Sequence, residues 1–304
     1  MGIFRNKARM MKSTLEDKIV DTVIFTVMTF VLIITLYPFY YIVILSFNEG
    51  LDATRGGIYL WPRAFTFDNY IQFLSDAKWV NAIFVTVAKT SIGTVLCIFF
   101  TSMVAYGLSE PNLLYRKIYS TILLVCMYFS GGLIPYYLVL RSIGLINTFA
   151  VYVIPGMFSI YYCILAISFF REIPKELHES ATLDGAGDLK IFTRIILPLS
   201  KPLLATLALF AAVGLWNNWS DTAFFAPGNK SLRTLAYLMR DVILKNQVDV
   251  SAIKGSMQAS KARSVTSQSV QMSAMIIAVL PIVTVYPFIQ KYFVKGIMLG
   301  AVKG

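Results

Sequence analysis

The sequence predicts an all-α polytopic membrane protein with about six transmembrane helices. Three observations carry that expectation. Of 304 residues, 57% are hydrophobic and only 14% are charged, with a mean hydropathy of +0.67. A soluble domain exposes too much surface for that balance. Apolar runs of about 20 residues or more recur along the chain, each long enough to cross a bilayer as a helix. Lys and Arg collect in the loops between them, where the cytoplasmic side of a membrane protein carries its positive charge. The net charge of +11 is therefore loop charge and no nucleic-acid footprint, because no basic stripe interleaved with aromatics is present.

The chain opens with a basic stretch, Arg5 to Lys18, followed by an apolar run reaching Phe47. That run is too long for a signal-peptide core and no small-residue cleavage pattern follows, so it reads as a retained first span with the N-terminus inside. The spans are expected at 20–45, 80–108, 118–140, 149–170, 202–219 and 270–292, within a single transmembrane domain covering 1–304. Loops 109–117 and 171–201 and the tail from 293 then face the cytoplasm, each with Lys or Arg: Arg116 and Lys117; Arg171, Lys175, Lys190, Arg194 and Lys201; Lys295 and Lys303. Loops 46–79, 141–148 and 220–269 face outward. The large loop 220–269 is itself basic, so charge alone leaves its side open, and the even span count places it outside. Within it, Leu232, Leu235, Leu238 and Met239 predict a helix along the membrane surface, and 247–269 reads as polar, Ser-rich and mobile.

Helix breakers punctuate nearly every span: Pro38, Gly93, Gly131-Gly132 with Pro135, Pro155-Gly156, Gly214, and Pro281 with Pro287. Breaks at membrane depth persist only where neighbouring helices or a watery cavity satisfy the freed backbone groups, which suits a transport pathway and also suits plain helix packing. Cys97, Cys126 and Cys163 lie in apolar spans without disulfide or metal-ligand spacing, and read as small buried hydrophobes.

Lys89 stands about nine residues into the second span, roughly 13 Å deep at 1.5 Å per residue. An ammonium there costs on the order of 2–3 kcal/mol unless paired or wetted. Thr86, Thr90, Gly93, Thr94, Cys97 and Thr101 share its helical stripe, which therefore faces protein or water. Two readings follow: Lys89 snorkels or pairs with a carboxylate of a partner subunit, or it lines a pathway and attracts an acidic solute such as a uronic-acid sugar. At the outer end of the fifth span, Trp216-Asn217-Asn218-Trp219 fits a pathway or gate, since indoles stack on sugar faces and amides bond hydroxyls. An interfacial aromatic belt accounts well for the tryptophans and less well for the two adjacent asparagines. His178, the sole histidine, has no ligand partners in sequence. No nucleophile–base pair, paired carboxylates or metal set is present, and no G-x-x-x-x-G-K-[ST] loop, so no catalytic residue is expected and any nucleotide hydrolysis would belong to another chain.

Loop 171–201 has the densest local signals. Pro174 suits a helix start, Lys175 to Leu183 are good helix formers with Leu177 and Ala181 one turn apart, and Gly185 supplies a left-handed stop. Asp188 suits the cap of a second short helix that Pro198 ends or kinks. The expected object is a bent helix–Gly–helix knuckle with a small-residue face.

Glu179-Ser180-Ala181, Asp184-Gly185-Ala186 and Ile195-Ile196-Leu197-Pro198 resemble the Glu-Ala-Ala…Gly…Ile-x-Leu-Pro signature of ABC importer permeases, with Ser180 in place of the second Ala. The ending, Gln290 to Val294 with Gly296 and Gly300 to Gly304, is similar to that of the second permease of maltose-type sugar importers, in the subgroup serving oligosaccharides and polysaccharide fragments. The resemblance implies a type I ABC importer permease fold in the bacterial plasma membrane, both termini cytoplasmic. Glu179, Ser180, Ala181, Asp184, Gly185 and Ala186 would meet the ATPase, which binds ATP and Mg, leaving no cofactor on this chain. Implied partners are a second homologous permease, an ABC ATPase dimer, an extracellular solute-binding protein touching loop 220–269, a sugar and membrane lipid, with no nucleic acid. An ABC permease for amino acids, peptides or osmolytes, and a secondary carrier, remain as alternatives.

Overall fold

The computed structural model describes residues 15–252 and 265–301. The main helices are α1 (Leu15–Ser46), α2 (Ala77–Ser109), α3 (Arg116–Tyr128), α4 (Leu133–Ser142), α5 (Ile160–Phe170), α6 (Lys175–Leu183), α7 (Lys201–Asn217), α8 (Leu235–Ala252) and α9 (Ser267–Ala301). Among the described residues the one β feature is an isolated antiparallel bridge between Asn48 and Phe65. Residues 1–14, with most of the basic opening, lie outside the described residues, as do 253–264 and 302–304.

Helix α2 is the central post, packed on α5, α7 and α8. Its buried positions run Trp79, Ala82, Thr86, Lys89, Gly93, Cys97, Thr101 and Ala105, the three-and-four spacing of a single helical face. The polar stripe expected from the sequence therefore faces protein. Gly93 lets α7 come close, since a Cβ there would sit 2.8 Å from Leu215 Cδ1. One core cluster joins α2, α5 and α7 through Ala105, Cys163, Ala166, Phe192 and Leu207. A second gathers Phe73, Trp79 and Ala82 against Leu235, Leu238 and Ala274. Helix α1 lies to one side against α9, and most of its surface is exposed apolar side chain, as a lipid-facing or subunit-facing helix requires.

The expected spans need correction at two places. The span 118–140 is broken: α3 and α4 meet at an angle of 114° across residues 129–132. Gly132 adopts φ +84°, and Gly131 contributes no side chain to stiffen the corner. The span 149–170 contains eleven residues of α-helix, α5, preceded by a single 3-10 turn at Phe149–Tyr152. Pro155 and Gly156 separate the two and stop the helix from extending backward. By length and composition α1, α2 and part of α9 can each cross a bilayer alone, and five crossings result if each bent pair counts as one. Pro38, Pro281 and Pro287, by contrast, sit inside continuous helices.

The helix expected in loop 220–269 is α8, but its apolar face does not lie on a membrane surface. Leu235 and Leu238 are buried against Phe73, Trp79 and Ala274. Helix α8 also continues through Ala252, into the stretch expected to be irregular, and the core of that stretch, 253–264, lies outside the described residues.

Candidate functional site

The knuckle is built as its residues dictate. Helix α6 covers Lys175–Leu183, with Pro174 at the N-cap, one place before the first helical position expected of it. Asp184 caps it, Gly185 takes φ +76°, and two bonds close the end: Gly185 N–H to Thr182 O and Ala186 N–H to Ala181 O, both 3.0 Å. That pair is a Schellman motif. Its usual apolar contact is supplied by Ala181 and Ala186, which both pack on the core cluster beneath. The small residues of the signature thus seat the turn, and Gly185 is needed for its backbone conformation.

After Gly187 the chain makes a short helix, Asp188–Ile191, then a π-helical turn at Phe192–Ile196 and a final turn at Leu197–Leu199 containing Pro198. It then bends by 83° into α7. Asp188 is the first residue of its helix, one place later than the cap expected of it; Gly187 occupies that cap. Phe192 anchors this half, stacked on Tyr106 at 5.4 Å and edge-on to Phe99 at 6.2 Å, so the knuckle is bolted to α2. His178 Nε2 lies 3.8 Å from Asp188 Oδ1 and joins the two halves. Glu179, Ser180, Asp184 and Gly185 face outward, together with Leu183 (89% exposed) and Leu189 (65%). Two leucines held out on a rigid turn form an apolar contact surface with acidic neighbours.

At the other end of α2, the structure pairs Lys89 inside its own chain. Its side chain has no exposed surface, and Nζ lies 3.1 Å from Asp221 Oδ2, 3.3 Å from Asn218 O and 4.9 Å from the centre of the Tyr152 ring. Neither sequence reading named this partner: Lys89 neither snorkels nor lines an open pathway in this conformation. Polar bonds extend the joint. Tyr152 OH donates to Leu232 O at 2.7 Å and lies 3.0 Å from Thr222 Oγ1, which is 3.0 Å from Thr234 Oγ1. Leu235 N–H donates to Thr86 Oγ1, and Asn81 Nδ2 to Ser231 O. The segments 149–152 and 218–235 are thereby fastened to α2. Asp221 was the missed residue; a lone acid two residues after Trp219, in an apolar setting, was the available signal.

The Trp-Asn-Asn-Trp run divides by role. Asn218 is structural: its Oδ1 accepts from Asp221 N–H and from Ser220 Oγ at the start of the helix Ser220–Phe225. Trp216, Asn217 and Trp219 line a cavity of about 670 Å³ between α1, α7, α8 and α9. Trp216 Nε1 donates to Ala278 O at 3.1 Å, and Arg240 lies 3.5 Å over the Trp219 ring. The lining is otherwise apolar, so Asn217, Arg240 and the two indole edges are its principal polar points.

Long apolar helices, two of the spans bent, with an exposed helix–Gly–helix turn beside them define the class: a multi-pass membrane transport component. The chain belongs to the family of binding-protein-dependent transport system inner membrane components, whose model matches residues 2–299. It is 36% identical over 272 residues to Protein LplC of Bacillus subtilis, covering 89% of this chain and 90% of that one. It is 33% identical over 291 residues to the polygalacturonan/rhamnogalacturonan transport system permease protein YtcP of the same organism, covering 95% and 100%. A chain of a bacterial ABC transporter involved in the import of the acidic polysaccharide alginate superposes with a TM-score of 0.82 at 27% identity, over 92% of this chain and 98% of that one. It is thus an inner membrane component of a binding-protein-dependent transport system, a transport component and no enzyme.

Proposed function

We propose that this chain forms half of the translocation pathway of an ATP-driven importer for oligosaccharides or polysaccharide fragments, acidic ones included. It pairs with a second homologous permease, receives sugar from an extracellular binding protein, and couples to a separate ATPase dimer through 171–201. Both termini and the knuckle lie in the cytoplasm of a bacterium. The observation that carries the coupling role is the Schellman turn at Gly185, which holds Leu183 and Leu189 out while Phe192 ties the turn to α2. The sugar class rests on the relatives, one named for polygalacturonan and rhamnogalacturonan and one for an acidic polysaccharide. Along the pathway, Trp216, Asn217 and Trp219 contact solute, and Arg240 supplies the positive charge that Lys89, paired with Asp221, does not.

The test is purification of the tagged chain with its partners from the native membrane, identification of those partners by mass spectrometry, and uptake in proteoliposomes. A second permease, an ATPase and a sugar-binding protein, with uptake that requires ATP, are expected. Solute movement by the chain alone, without ATP, would overturn the reading in favour of a secondary carrier. Cysteine labelling at Ser180 from each side of the membrane tests the orientation separately.

A further inference from the structure

Four helix ends converge behind the knuckle around a cavity of about 320 Å³: the end of α2 with Tyr106 and Glu110, the start of α3 with Arg116, the end of α5 with Arg171, and the start of α6 with Lys175 and His178. Two guanidinium groups share this cavity, and among the described residues neither has an ion-pair or hydrogen-bond partner. They are close enough to repel: burial and the charge of Arg116 both push the Arg171 pKa down. Arg171 is exposed and Arg116 half-buried, so water reaches both; arginine does not shed its proton, and an anion held between the two would relieve their repulsion further.

The backbone adds to the same field. Helices α3 and α6 both begin at this cavity, and neither has a side-chain cap, Tyr115 and Pro174 supplying none. Both helix starts put partial positive charge beside it, although the N–H groups of Arg116, Ile118 and Leu177 are already bonded to the Leu113, Tyr115 and Pro174 carbonyls. Three carboxylates oppose this, Glu176 in the first turn of α6 being one. Glu110 lines the cavity, where its Oε1 accepts from Asn112 N–H, and Asp188 lies beyond His178. Of these only Glu110 lines the cavity, against three cations, Arg116, Arg171 and Lys175. Outward from Arg116, α3 buries none of its side chains, and Ile118, Ile122 and Val125 form an exposed apolar flank.

We propose that this cavity binds a phosphate monoanion or diester between Arg116 and Arg171, the headgroup of an anionic phospholipid whose tails lie along α3 being the source that the apolar flank favours. Guanidinium forks suit two phosphate oxygens, and the bound group would tie the start of α3 to the entry of the knuckle. A lipid source rests on the reading of 109–117 and 171–201 as one edge of the membrane; the anion chemistry does not.

The test uses the full chain, purified with its partners in detergent, and native mass spectrometry with dioctanoyl phosphatidylglycerol, dioctanoyl phosphatidylcholine or inorganic phosphate. Phosphatidylglycerol is expected to be retained at least tenfold better than phosphatidylcholine. Arg116→Gln/Arg171→Gln should lose that preference. Lys117→Gln, which removes a neighbouring charge outside the cavity, should keep it, and the Lys/Lys double variant should retain most of it. Inorganic phosphate that binds alone, displaces the lipid and shows the same sensitivity to the double Gln variant identifies free anion as the source. Equal retention of both lipids, or unchanged preference in a monodisperse double Gln variant, overturns the site. Neither readout depends on which side the knuckle faces, so failure here is distinct from failure of the orientation.

Discussion

Lys89 and Asp221 form a pair whose two members stand in unequal surroundings, and the inequality predicts an order of effects. The Lys89 side chain has no exposed surface, whereas that of Asp221 keeps 22%. Lys89→Met preserves length and removes the ammonium, leaving a carboxylate that water still reaches. The loss should be on the order of 1–3 kcal/mol, as for a buried hydrogen bond with one partner rehydrated. Asp221→Asn leaves a sealed ammonium with neutral partners alone: the new amide oxygen, the Asn218 carbonyl at 3.3 Å and the face of Tyr152 at 4.9 Å. Those neutral groups do not replace a counter-charge, and stranding a buried charge costs about 3–5 kcal/mol. The double variant removes both charges, so it should be less harmed than Asp221→Asn alone, with a coupling of about 1–3 kcal/mol.

The assay is thermal unfolding of the detergent-solubilised transporter, followed by aggregation-sensitive size exclusion for all three variants. A finding that Asp221→Asn is no worse than Lys89→Met, or that the double variant is simply additive, would refute the pairing. Uptake supplies a second check. Because the ammonium faces Asp221, Lys89→Met should lower uptake of acidic and neutral sugars together; selective loss of the acidic ones would return Lys89 to the pathway.

Gly185→Asp forces an L side chain into φ +76°, a strain of about 1–2 kcal/mol, and should abolish uptake while the chain remains in the membrane, as measured by transport and membrane immunoblot. Leu183→Ser changes a side chain that is 89% exposed, so unfolding should shift by less than about 0.5 kcal/mol while sugar-stimulated ATPase activity falls severalfold. Stability loss without an effect on ATPase would place Leu183 outside the contact. Thr86→Val leaves the buried Leu235 N–H without its 2.8 Å acceptor and should cost about 1–3 kcal/mol in thermal unfolding, with faster amide exchange at Leu235.

Local chemistry made much of this legible in the sequence. The α6 boundaries, the left-handed Gly185 and the one-sided polar stripe of α2 follow from residue types at fixed spacing, and each stands where those rules place it. Hydropathy was less informative about continuity. Gly131-Gly132 and Pro155-Gly156 were visible as breakers, yet Pro38, Pro281 and Pro287 were visible too and lie in unbroken helices. Whether a breaker bends a helix depends on what packs beside it, which periodicity does not record. The partner of Lys89 was hidden for a related reason: Asp221 is 132 residues away in sequence and meets it through the packing of α2 on α7.

That packing also shapes how the two sites relate. Lys89 and Tyr106 lie on one uninterrupted helix, about 25 Å apart at 1.5 Å per residue. Helix α7 runs beside it, starting just after the knuckle at Lys201 and ending at Asn217, next to Asn218, whose carbonyl accepts from Lys89. Where the two helices cross, Gly93 meets Leu215 so closely that they have little room to slide independently. A displacement of the knuckle at Phe192 therefore has two parallel rods through which to reach the Lys89–Asp221 joint. The joint in turn holds the 218–235 segment, adjoining the cavity lined by Trp216, Asn217 and Trp219. On the coupling role proposed for the knuckle, its motion would arrive at the Lys89–Asp221 joint as tilt of a rigid pair, and a pair needs no strained intermediate along its length to transmit it.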